Sequence, residues 1–126
     1  MVRLIITFIA GLVSWVVIAT LLNYLLRFGL PGYAAAEPSM DFSLLMQFAR
    51  LALGAAASIG TGSIAARFAP AHTRLPLALG VTLLVLFTPV HYGLWDNFPV
   101  WYHLFFLATI IPFVLAGARL AKPNKG

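Results

Sequence analysis

Residues 4–26 read LIITFIAGLVSWVVIATLLNYLL, with no charged side chain anywhere in the run. At about 1.5 Å of rise per residue, a helix of this length crosses the roughly 30 Å hydrocarbon core of a bilayer. Three more long, mostly apolar stretches follow, at residues 42–66, 75–95 and 98–120. None alternates apolar and polar residues with the period of a barrel strand, and their Leu-, Ala- and Phe-rich runs favour helices. The chain is therefore expected to be all-α, an integral membrane four-helix bundle with antiparallel up-down spans. It forms a single transmembrane domain over residues 1–126.

Composition excludes the alternatives. The chain has 126 residues, 62% hydrophobic and only 9% charged. A soluble domain averages about 25% charged residues, which cover the surface it cannot bury. With no cysteine, disulfide scaffolds, thiolate metal sites and cysteine nucleophiles are also excluded. The net charge of +5 does not call for nucleic acid, because the charges are sorted by position. In a four-span layout Arg3, Arg67, Arg74, Arg119, Lys122 and Lys125 fall on one side, and Glu37, Asp41 and Asp96 on the other. The positive-inside rule then places both termini in the cytoplasm, with an outer loop at 27–41, a cytoplasmic loop at 67–74 and a cytoplasmic tail at 121–126. A bacterial inner membrane is the expected setting. The first span is read as retained, since a signal-peptide core has only about 7–15 apolar residues.

The links carry turn chemistry. Pro31-Gly32 suits a tight turn with positive φ at the glycine. Pro70, His72 and Arg74 punctuate the second link. The third is short enough to make the last two spans antiparallel neighbours, with Asp96 or Asn97 available to cap the fourth span and Pro99 tolerated in its first turn. Pro89 and Pro112 interrupt the third and fourth spans, as hinges or static bends. Each frees a carbonyl one turn earlier, at Val85 and Ala108, which Thr88 and Thr109 are placed to help satisfy.

The second span is unlike the others. Gly54, Ser58 and Gly62 recur every fourth residue, the small-residue spacing of tight membrane helix pairs. Packing at the centre of the chain's own bundle is the preferred reading, and a homodimer seam the alternative. Arg50 lies in the same span, where an arginine costs at least about 2.5–3.5 kcal/mol. Counted from Phe42 at about 1.5 Å per residue, it sits roughly 12 Å below the outer end. Its stripe carries Gln47, Arg50, Gly54, Ser58 and Thr61.

Asn23, His91 and His103 each fall about 6–8 Å inside the outer ends of their spans by the same count. With an outward-reaching Arg50 they suggest a polar layer, with Asp96 and the acids Glu37 and Asp41 above it. Tyr24, Tyr92, Trp95, Trp101 and Tyr102 surround or overlie that level; of these Trp95, Trp101, Tyr92 and Tyr102 read most simply as an interfacial aromatic belt. The histidines read most simply as hydrogen-bonded interfacial residues, and Arg50 equally as the partner of Asp96, of a backbone carbonyl, or of a ligand.

No phosphate loop, HExxH pair, GxSxG elbow or calcium loop is present, and no span contains Asp or Glu. In size and span number the chain resembles the small multidrug-resistance exporters and the small fluoride channels. The glutamate required in the first helix of the former is missing, and the polar and phenylalanine motifs of the latter find no place here. The function expected is non-enzymatic: binding or transport of a small polar or anionic ligand at Arg50, Gln47, His91, His103, Asn23 and Asp96. A four-helix bundle has little room for a pore, so transport would need a homodimer. The alternatives are an accessory subunit of a larger membrane complex, and a haem b or quinone site at His91 and His103. No metal and no other cofactor is expected.

Overall fold

A computed structural model describes residues 2–39, 41–68 and 74–121. Lys122 and Lys125, and Pro70 and His72 of the 67–74 link, lie outside the described residues. Four long helices, α1 (Val2–Gly29), α3 (Leu44–Phe68), α4 (Leu75–Gly93) and α5 (Val100–Ala121), are each long and apolar enough to cross a membrane. A short helix α2 (Tyr33–Ala36) and a 3-10 turn (Glu37–Ser39) lie between α1 and α3. The described residues contain no strand, and the chain is an all-α four-helix bundle. Its outer surface is apolar: Ile5, Ile9, Val16, Leu21, Val85 and Leu104 are among many large aliphatic side chains left exposed. In water such a surface would drive aggregation, whereas in lipid it is the solvated face.

Contacts between helices fix their directions. Arg3, at the start of α1, donates from Nε to the carbonyl of Phe68 at the end of α3, 2.7 Å away, so these two run antiparallel. This contact also places a cation on the negative pole of α3. Arg50 meets Tyr102, Gly54 meets Phe106 and Gly62 meets Val114, so α3 and α5 run parallel. His91 meets His103 and Gly80 meets Ile111, making α4 and α5 antiparallel neighbours. Going round the bundle the order is α1, α3, α5, α4. The α3–α5 interface is the most extensive, and α1 and α4 touch only narrowly.

Small residues set the central seam. A methyl group on Gly62 would lie 1.8 Å from the Val114 carbonyl oxygen, and one on Gly117 would lie 1.9 Å from that of Ile59. The two backbones therefore meet directly. Hydroxyls join the helices across the rest of α3. Trp15 donates to Ser58 at 3.1 Å, Thr61 to the Gly11 carbonyl at 3.2 Å, and Ser63 to the Gly117 carbonyl at 3.0 Å. Gly54, Ser58 and Gly62 thus all pack within this chain, against α5 or α1.

Several local expectations need correction. The helix α1 continues to Gly29, and the 27–41 link is itself partly helical. Positive φ does occur at Gly32, at 81°. Neither Asp96 nor Asn97 caps α5, because Trp95–Asn97 forms a 3-10 turn and the helix begins only at Val100. Thr88 and Thr109 bond the carbonyls of Leu84 and Phe105, with Phe106 as a second acceptor for Thr109, so they do not reach the carbonyls freed by Pro89 and Pro112. Each hydroxyl turns back to its own preceding turn, the commonest bond open to a helical threonine.

Candidate ligand-binding site

One end of the bundle gathers the end of α1, the α2 segment, the start of α3, the end of α4 and the start of α5. The acids Glu37, Asp41 and Asp96 all belong to the links there. We call it the acidic end. Arg50 lies six residues into α3, or about 9 Å along the axis. The count from Phe42 placed it deeper, because α3 starts only at Leu44.

The guanidinium of Arg50 is held by phenols. Its Nε donates to the Tyr102 hydroxyl at 3.2 Å and its Nη1 to the Tyr33 hydroxyl at 2.8 Å. The Tyr33 hydroxyl in turn donates to Asn23 Oδ1 at 2.6 Å, and Asn23 Nδ2 donates to Glu37 at 3.1 Å. Glu37 closes the series in an ion pair with Arg27. That guanidinium holds the Glu37 carboxyl below the usual carboxylate range; Asn23 adds to the effect and partial burial opposes it. Arg27 is therefore the partner of Glu37.

Aromatic rings form the rest of the Arg50 environment. The guanidinium carbon lies 4.8 Å from the centre of the Phe42 ring and 5.7 Å from that of Phe98. Tyr33, Phe42, Phe98 and Tyr102 stack in series, with centroids 5.1, 5.8 and 4.3 Å apart. A cation over ring faces is attracted by their quadrupoles, most strongly where water is excluded. Among the described residues, the Arg27–Glu37 contact is the only salt bridge. Arg50 thus has no carboxylate in contact. Two of its five N–H groups are used in these bonds.

The positive charge borders a cleft of about 500 Å³, within the range typical of small-molecule sites. It lies where α1 and α4 part. Along α1 it extends from Trp15 to Arg27, which is about 18 Å of helix. Its walls are mostly apolar, with Leu53, Phe87, Val90, Leu94 and Phe106 among them, and Asn23, Glu37, Arg50, His91 and Tyr102 supply polar groups.

His91 and His103 are buried and bonded to each other, Nδ1 to Nδ1, at 2.7 Å. The second nitrogen of His103, Nε2, lies 3.2 Å from the Trp95 carbonyl oxygen. A carbonyl only accepts, so His103 Nε2 carries a proton. In the neutral pair, His103 Nδ1 is then the acceptor and His91 Nδ1–H the donor. This leaves His91 Nε2 as a bare acceptor on a ring that borders the cleft. Both nitrogens of His103 are engaged, so it presents none to a haem iron in this arrangement. Among the described residues no group of three or more His, Cys, Asp or Glu is arranged to hold a metal.

The sequence-derived candidates separate into two groups. Arg50, Asn23 and His91 line the cleft, with His103 directly behind His91. Gln47 bonds the Phe42 carbonyl within its own segment at 3.3 Å, and does not line the cleft. Asp96 is exposed on its turn and makes no hydrogen bond or ion pair among the described residues. Tyr102, read as belt, is buried at 3% exposure and holds Arg50, whereas Tyr92 at 82% faces outward. Tyr33 escaped sequence reasoning although it is fully buried. Its signal was a lone aromatic directly after Pro31-Gly32, where a turn can drive a side chain inward. No protein-family model, curated protein or solved structure matches this chain.

Proposed function

We propose that this is a non-enzymatic membrane protein that holds a small amphipathic molecule, anionic head inward, in the cleft between α1 and α4. One observation carries the reading. Arg50 brings a full positive charge to the cleft wall, and its hydrogen-bond and cation–π partners are phenols and rings, none of them a carboxylate. An arginine within a span is costly, and such residues mark ligand or ion paths by default. An anion in the cleft would take up its remaining N–H groups by charge-assisted bonds. The apolar walls suit an alkyl or aryl tail. The setting proposed is a bacterial inner membrane with the basic end in the cytoplasm, so the cleft faces outward.

The test uses decanesulfonate, which keeps its charge at every working pH. Calorimetric titration into the protein in phosphatidylcholine nanodiscs should give saturable one-to-one binding, with decanol as the uncharged control. Arg50→Leu and Arg50→Gln should each weaken binding at least tenfold while expression holds. If Arg50→Gln binds the sulfonate as tightly as the wild type, the site is elsewhere.

A further inference from the structure

Resting on that reading of the cleft, we infer that its anionic ligand binds together with one proton, taken up by the His91–His103 pair at His91 Nε2. The cleft would then be a site for an acid delivered as anion plus proton.

The pair has one way in. His103 is closed on one side by the Trp95 carbonyl and on the other by His91. Trp95 stacks on the His103 ring at 4.8 Å and Phe98 abuts it edge-on at 5.9 Å. Only His91 borders the cleft. A proton arriving from cleft water forms an N–H bond at His91 Nε2. His91 then carries both ring protons, and its Nδ1–H still donates to His103 Nδ1. No existing hydrogen bond breaks, so the 2.7 Å contact serves both protonation states. Imidazole is the side chain whose unperturbed charge change falls between pH 5 and 8.

The charges facing His91 make the proton depend on the anion. From α5 it faces Tyr102, with ring centroids 6.1 Å apart, and His103. From α3 comes Arg50, bonded to the hydroxyl of that same Tyr102. Across the cleft lie Asn23 and Arg27 of α1 and Glu37 of the following turn. Asp96 stands exposed on the turn beside Trp95. Arg27 neutralises Glu37, so Arg50 is the uncompensated neighbour, and a cation at His91 meets a like charge. An anion seated on Arg50 removes that opposition and adds an attraction. Anion and proton therefore favour each other by the same factor, as linkage requires. This chain has no carboxylate in any span, and the histidine pair takes the place that a membrane carboxylate fills in proton-coupled carriers.

The experiment measures decanesulfonate binding between pH 8 and pH 5 in phosphatidylcholine nanodiscs, in buffer pairs of differing ionisation enthalpy. The sulfonate does not titrate there, and Arg27 lowers the Glu37 pKa away from this window, so neither is the source of the uptake. Affinity should tighten on acidification, by up to tenfold per pH unit. Between 0.5 and 1 proton, as an order-of-magnitude expectation from one linked site, should be taken up per ligand. Whatever affinity His91→Gln retains should be flat with pH and accompanied by no uptake. The wild-type uptake stands as evidence even where that variant fails to fold. Arg50-dependent binding with a flat wild-type profile and no uptake overturns the coupling alone. Uptake that persists in folded His91→Gln overturns the assignment to the pair. Absence of binding by the wild type at both pH extremes overturns the cleft reading and this inference with it.

Discussion

Gly62→Ala tests the central seam most directly. The added methyl would lie 1.8 Å from the Val114 carbonyl oxygen, 2.7 Å from its carbon and 2.9 Å from the Ala118 nitrogen. Carbon–oxygen contacts settle at about 3.3 Å or longer, so the shortfall is about 1.5 Å. All three opposing atoms are backbone atoms in a helix and none can swing aside. The helices must part, and the hydrogen bond from Ser63 to Gly117 stretches with them. Overpacking costs typically about 1–3 kcal/mol, and rigid opposition puts this site at the top of that range. The helix-propensity gain of alanine over glycine returns at most about 1 kcal/mol. A net loss of about 2 kcal/mol is expected. Gly60→Ala is the control, since its methyl meets only the far end of Ile18 at 2.4 Å and a rotamer change relieves that contact. It should be neutral or slightly stabilising. Reversible unfolding in mixed micelles, followed by tryptophan fluorescence, measures both. A Gly62→Ala protein as stable as Gly60→Ala would refute the direct backbone contact between α3 and α5.

Further outcomes follow from the network at the acidic end. Tyr33→Phe removes an acceptor from Arg50 and a donor from Asn23, and should destabilise by about 1–3 kcal/mol in the same assay. Because the folded state lowers the pKa of Glu37 from its ordinary 4.5, the unfolded chain binds more protons below that value. The Arg27–Glu37 contribution is therefore complete above pH 4.5 and is lost as pH falls through the lower folded pKa. Thermal unfolding from pH 6 to pH 3, in steps of about one unit, should show a steeper decline for the wild type than for Glu37→Gln.

Spans, directions and the small-residue face were legible because they depend on local rules: apolar length, turn residues and fourfold spacing. Gly54, Ser58 and Gly62 announced tight packing, but their spacing carries no information about which helix answers it. The partners of Arg50 were illegible for a similar reason. The sequence left Asp96, a backbone carbonyl and a ligand equally open, whereas the fold supplies Tyr33 and Tyr102, two phenols 17 and 52 residues away in sequence. The azimuth of a side chain on one helix does not fix what faces it from another. Asp96 fails because the short α4–α5 link winds into a 3-10 turn that leaves it outside. Asn23 was found by its depth, but its role as a link between Tyr33 and Glu37 depends on a segment that resembled a plain loop.

The parallel pairing of α3 with α5 also bears on the order of assembly. Chain synthesis yields α1 and α3 before α4 and α5, so the hairpin of α1 on α3 can form early. The glycine seam of α3 has no partner until α5 is inserted, and Arg50 lacks Tyr102 for the same interval. The largest interface in the bundle is thus a late, non-local contact that α4 must be threaded past. In the interim α3 lacks the partners of its glycine seam and of Arg50, an incompletely packed state of the kind that makes folding chains depend on chaperones.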